Sequence, residues 1–78
     1  MHLSRTRKRD RTVKLSGREQ EVLTLIIKGL KNREIADTLE LSPETIKTHV
    51  RHIKQKLAVK HRTQVVVAAI KRGLTDLK

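Results

Sequence analysis

Four aliphatic residues, Ile46, Val50, Ile53 and Leu57, recur at i, i+4, i+7 and i+11. That spacing places them on one face of an α-helix. The positions between them are polar and mostly basic: Lys47, Thr48, Arg51, Lys54, Gln55 and Lys56. Whatever this chain folds into must bury one seam of that helix and leave the opposite side in water. Ser42 can cap the open N–H groups at its start, and Pro43 suits the first helical position, where a missing N–H costs nothing. Glu44 in the first turn complements the helix dipole. The helix is predicted to end near Lys56 or Leu57.

The same reading finds three more helices. Ser16 and Glu19 form the signature of a capping box, and Val22, Leu23, Ile26, Ile27 and Leu30 follow as one apolar stripe. Gly29 is the predicted stop, and Leu15 is placed to fold back on the first turn. A short second helix, about Arg33 to Leu39, turns Ile35, Ala36 and Leu39 inward, with Asn32 as its expected N-cap. Ala36 is small where the next helix must cross closely. Glu40, Leu41 and Ser42 make a brief turn, with Leu41 plugging the corner. Residues 58–62 are a short link that tucks in Val59. Thr63 is the expected cap of a fourth helix running to about Arg72, stopped by Gly73. Val65, Val66 and Ala69 face inward, which leaves Val67 and Ile70 on another face, with Leu74 near the end.

The expected fold class is therefore all-α: a compact four-helix domain over residues 15–78, with a helix-turn-helix at its centre. Residues 1–14 carry Arg5, Arg7, Lys8, Arg9, Arg11 and Lys14 against a single acid, Asp10, without apolar periodicity, and read as a flexible basic arm. A chain of 78 residues holds one small domain. It buries only about 60 to 65% of its unfolded surface, so dimerisation or ligand binding would add needed stability. With no aromatic residue and no cysteine the core must be aliphatic, and no disulfide framework exists, which fits a reducing cytoplasm. No apolar run approaches a membrane span and no signal peptide is visible.

Lys and Arg number 19 against 8 Asp and Glu, a formal net charge of +11. Such an imbalance points to a polyanionic partner: DNA, RNA or an anionic membrane. The membrane reading is weak, because the apolar helix faces are spent on a core and no Trp or Phe is available for the interface. A duplex fits better. The major groove accepts one α-helix, and Lys47, Thr48 and Arg51 lie on the outward side of the third helix. Lys47 and Arg51 can donate to guanine N7 and O6, and Thr48 offers a hydroxyl and a methyl group. Candidate phosphate contacts are Asn32, Arg33, Thr45, His49, Lys54, Lys56, Lys60 and Arg62. The arm could add salt-sensitive affinity along the backbone. His49 and His52 stand three apart but have no third ligand, so no metal is expected. No nucleophile–base pair, paired carboxylates or Gly-rich phosphate loop is present, and neither catalysis nor a cofactor is expected.

These residues resemble the LuxR-type (GerE-like) helix-turn-helix domain of bacterial transcription regulators. The likeness covers about residues 15–74. It rests on Arg18-Glu19 with Glu21-Val22-Leu23, Asn32 with Glu34-Ile35-Ala36, and Ser42 with Thr45-Ile46-Lys47 and His49-Val50. Lys56-Leu57 with Val59, and Arg62-Thr63-Gln64 with Gly73-Leu74, complete it. The resemblance implies base contacts at Lys47, Thr48 and Arg51. It also implies a homodimer contact through the fourth helix, to which Val67, Ile70 and Leu74 are assigned, and inverted half-sites about 10 to 10.5 bp apart. Two departures stand out. Lys31 replaces the usual Ser or Thr before the second helix, and Glu40 occupies a turn position often given to Gly. In most relatives this domain is the C-terminal effector beside a receiver or sensing domain. A chain starting at Met1 reads as a stand-alone regulator, with an excised effector domain as the alternative.

Two rivals to sequence-specific regulation remain at this level. One is a sigma-factor region-4-like module, with RNA polymerase as partner; the fourth helix argues against it. The other is a non-specific nucleoid or RNA-binding protein, which would bind unrelated duplexes equally.

Overall fold

A computed structural model describes residues 14–74. These residues contain four α-helices and no strand: α1 (Gly17–Ile27), α2 (Asn32–Leu39), α3 (Pro43–Leu57) and α4 (Arg62–Lys71). The arm expected over residues 1–14 lies, apart from Lys14, outside the described residues. Helix α3 packs against all three others; α1 also meets α2 and α4.

The helix starts follow local chemistry, with two corrections. Ser16 caps α1 as expected: its Oγ accepts from Glu19 N at 3.1 Å, and Glu19 Oε1 accepts from Ser16 N at 2.9 Å. Ser42 caps α3, accepting from Thr45 N at 3.2 Å with Pro43 just inside. Asn32 does not cap α2. Lys31 holds the N-cap position, and its ammonium side chain cannot accept a hydrogen bond. Only half a capping box forms there, Lys31 N donating to Glu34 Oε1 at 2.7 Å. Thr63 does not cap α4 either. The N-cap is His61, which makes no side-chain cap bond; instead Gln64 Oε1 accepts from Lys60 N and His61 N at 3.0 and 2.9 Å. In both cases a side chain at the third helical position reaches back and moves the start upstream.

All four helices stop in the same way. The chain turns left-handed at Gly29, Glu40, Ala58 and Gly73, with φ of 94°, 60°, 58° and 71°. At each stop that residue's N–H returns to the carbonyl three positions back, and the next N–H to the carbonyl five back. This is the Schellman pattern, which satisfies carbonyls that the helix leaves open. The next residue is aliphatic every time (Leu30, Leu41, Val59, Leu74), and each packs half-buried against the core. Glu40, at the position often given to Gly, and Ala58 both take the left-handed conformation without being glycine.

The core is aliphatic and draws on every helix: Val22, Leu23 and Ile26 from α1, Ile35 and Ala36 from α2, Ile46, Val50, Ile53 and Leu57 from α3, and Val65 and Ala69 from α4. Ala36 is 1% exposed, so a larger side chain there would have to push α3 away. Leu15 packs against this core from outside α1, while Ile27, Leu30, Leu39 and Val66, expected inside, are only half-buried at its edge.

A left-handed conformation costs a non-glycine residue about 1–2 kcal/mol, and glycine recovers most of this at some cost in chain entropy. Ala58→Gly should therefore stabilise the domain by about 0.5–1 kcal/mol, raising its melting temperature by roughly 2–8 °C. Thermal unfolding followed by circular dichroism tests this; an unchanged or lower midpoint would contradict the assignment of strain.

Candidate nucleic-acid interface

Helix α3 is divided lengthwise. Ile46 and Ile53 are fully buried, Leu57 and Val50 nearly so, while Lys47 and Arg51, one turn apart, are exposed. Thr48 is half-buried, and its Oγ1 donates to Glu44 O at 3.2 Å. That bond uses the hydroxyl proton, so what Thr48 presents outward is a methyl group and oxygen lone pairs. Gln55 is exposed and falls on the same outward stripe, seven positions after Thr48. At a rise of 1.5 Å per residue α3 is about 22 Å long, ample to lie in a groove about 12 Å wide.

The residues expected to meet phosphates fall into two groups. Arg33 and Lys60 are exposed; Thr45, His49 and Lys54 are half-buried. The Thr45 hydroxyl lies 2.9 Å from Ser42 Oγ and so belongs to the α3 cap. His49 Nδ1 is buried and has no hydrogen-bond partner among the described residues. The second group is occupied within the fold. Arg62 donates from one nitrogen to Asn32 Oδ1 at 2.6 Å and from another to Leu30 O at 2.8 Å, and burial draws its pKa down. Lys56 Nζ donates to Glu19 Oε1 at 2.6 Å and to Lys14 O at 3.0 Å. Asn32, Lys56 and Arg62 thus have structural partners where backbone contacts were expected.

Glu19 is the one buried charged residue among those described, 6% exposed. One oxygen serves both the α1 cap and Lys56, and the other lies 3.9 Å from His52 Nδ1. Burial pushes this carboxyl up, but the Lys56 hydrogen bond, the Ser16 amide and the Lys56 and His52 charges together hold it below its ordinary value. The cluster fastens the C-terminal half of α3 to the start of α1. No sequence signal pairs Glu19 with Lys56, which stand 37 positions apart. No group of three or more His, Cys, Asp or Glu among the described residues is placed to hold a metal ion.

On α4, Val67 and Ile70 are 52% and 50% exposed, the large hydrophobic residues left uncovered. Leu74, grouped with them from the sequence, behaves differently: it packs against the core, and its carbonyl accepts from Gln20 Nε2 at 3.0 Å. None of the described helices is long and apolar enough to cross a membrane.

A short helix, a three-residue turn and a longer helix with a buried seam and a cationic outer side constitute a helix-turn-helix DNA-binding domain. The profile of bacterial regulatory proteins, luxR family (GerE), matches residues 13–69. Over 62 residues the chain is 47% identical to the oxygen regulatory protein NreC of Staphylococcus carnosus, spanning 80% of this chain and 29% of that protein. It is also 47% identical over 60 residues to the response regulator VraR of Staphylococcus aureus, spanning 77% of this chain and 29% of the relative. Among solved structures, the response regulator ChrA of a heme-sensing two-component system aligns with TM-score 0.77 at 44% identity, over 80% of this chain and 31% of that one. The transcription factor GerE aligns with TM-score 0.75 at 30% identity, over 82% of this chain and 96% of its own. The chain belongs to the luxR family: it is a DNA-binding helix-turn-helix domain of transcription regulation. It corresponds to less than a third of the length of NreC and VraR.

Because the folded Glu19 pKa lies below the unfolded one, its stabilisation is fully present above about pH 4.5 and is lost as pH falls through the folded value. Glu19→Gln keeps an acceptor for Ser16 but removes the charge. The wild type should be the more stable at pH 7 and lose that advantage below pH 4.5. Urea midpoints across this range measure it, and a gap independent of pH would refute the charge assignment.

Proposed function

We propose that this chain binds specific double-stranded DNA as a homodimer and thereby regulates transcription, in the cytoplasm of a bacterium. The observation that carries the reading is the lengthwise division of α3, with its buried Ile46–Leu57 seam opposite exposed Lys47 and Arg51. In the major groove, Lys47 donates to guanine as a point charge and Arg51 as a bidentate fork. Thr48 meets a thymine methyl or accepts from a base amino group, since its own proton is committed to Glu44. Arg33, Thr45, His49, Lys54 and Lys60 lie against the phosphates and fix the register without reading sequence.

A second copy covers Val67 and Ile70. Two half-exposed aliphatic residues one turn apart on a short helix have no role in the core. Their burial in a two-fold contact supplies part of the stability that so small a domain lacks. Symmetry then places the two α3 helices in successive major grooves, with half-sites about 10 to 10.5 bp apart.

Selection of bound duplexes from a random pool should return a two-fold symmetric motif. Arg51→Ala should relax one base preference in each half-site, at a cost of about 1–3 kcal/mol. An unenriched pool would support non-specific binding instead, and a loss spread uniformly over all sequences would make Arg51 a phosphate contact. Ile70→Glu should leave the helical spectrum intact and lower the fraction of dimer in sedimentation; an unchanged oligomer would remove α4 as the contact.

A further inference from the structure

Helix α4 begins at Arg62. Arg62 is a half-buried cation at a helix N-terminus, where the dipole opposes positive charge. No carboxylate among the described residues pairs with it. Both acceptors it uses are neutral: Asn32 Oδ1 at 2.6 Å and Leu30 O at 2.8 Å. A cation held in such a place is not stabilised by its charge; what the arrangement uses is the planar fork, whose two nitrogens each bond one acceptor in a fixed geometry.

Those acceptors lie where α2 is weakest. Helix α2 has eight residues, an N-cap without a side-chain acceptor, and only Ile35 and Ala36 fully buried. The body of α4 packs on α1 and α3 and does not reach α2. Among the described residues, the Arg62 fork is the direct bond between the two helices.

We propose that Arg62 is a positioning residue: by clamping Leu30 and Asn32 it makes the start of the helix-turn-helix move with α4, so that pairing two α4 helices sets the angle between the two reading helices. The inference rests on the homodimer reading above. It places Arg62 and Asn32 outside the DNA contact and assigns them to cooperativity between half-sites. Energetic coupling between sites of this kind ranges from about 5- to 150-fold in affinity.

The test uses the full 78-residue chain, a duplex selected from a random pool, and the same duplex with one half-site scrambled. The wild type should bind the intact duplex more tightly than the scrambled one. Arg62→Ala and Arg62→Lys should each lose about 5-fold or more of that advantage, while keeping the single-half-site affinity and its salt dependence. Asn32→Asp, which preserves the acceptor and turns the bond into an ion pair, should retain the advantage. An Arg62 variant that weakens both duplexes equally and lowers the salt slope by about one would make Arg62 a phosphate contact and overturn the proposal. So would Asn32→Asp weakening both duplexes alike, as a carboxylate beside phosphate would. A wild type without any advantage on the intact duplex would overturn the homodimer reading and this inference with it. An advantage kept by both Arg62 variants would overturn the inference alone. Circular dichroism of Arg62→Lys separates any loss of fold from loss of coupling.

Discussion

Helix α3 has to be dry on one side and wet on the other, and the rest of the molecule is arranged to allow it. Burying Ile46, Val50, Ile53 and Leu57 contributes about 1.5–3 kcal/mol per side chain. No other helix brings as many buried hydrophobic residues to the core. Helices α1, α2 and α4 all pack on α3, and each covers part of that seam. None covers the side bearing Lys47 and Arg51. A single helix thus supplies both the hydrophobic contact that holds the domain together and an exposed cationic side.

Tight turns are the second requirement. Four helices in so few residues leave no room for long loops, and each stop reverses direction by one left-handed residue followed by an aliphatic one that returns to the core. Glycine makes this turn without strain in two cases. Glu40 and Ala58 make it against their preference, one on each side of α3. The Schellman bonds and the burial of Leu41 and Val59 outweigh the cost there. These two turns fix the distances at which α2 and α4 leave the reading helix.

The cations are not equivalent. Lys47, Arg51, Arg33 and Lys60 are open to solvent. Lys56 and Arg62 also bond within the fold, the first, still exposed, to a buried carboxylate and the second to two neutral oxygens. The internal pair acts differently: Lys56 joins α1 to α3 and Arg62 joins α4 to α2.

Helix count, helix type, the buried seam of α3 and its exposed cations were all legible in the order of residues. They depend on periodicities and caps that act within one or two turns. The special turn at Glu40 was marked only by the resemblance, which often places Gly at that position. Two helix starts were not legible, because Glu34 and Gln64 reach backward from inside the helix and compete with the better-known capping residues Asn32 and Thr63. The employment of Asn32, Lys56 and Arg62 was decided only by folding. A cation's partner depends on which distant carboxylate or carbonyl the packed helices bring within 3 Å, and sequence separations of 30 to 42 residues carry no local energy that could announce it.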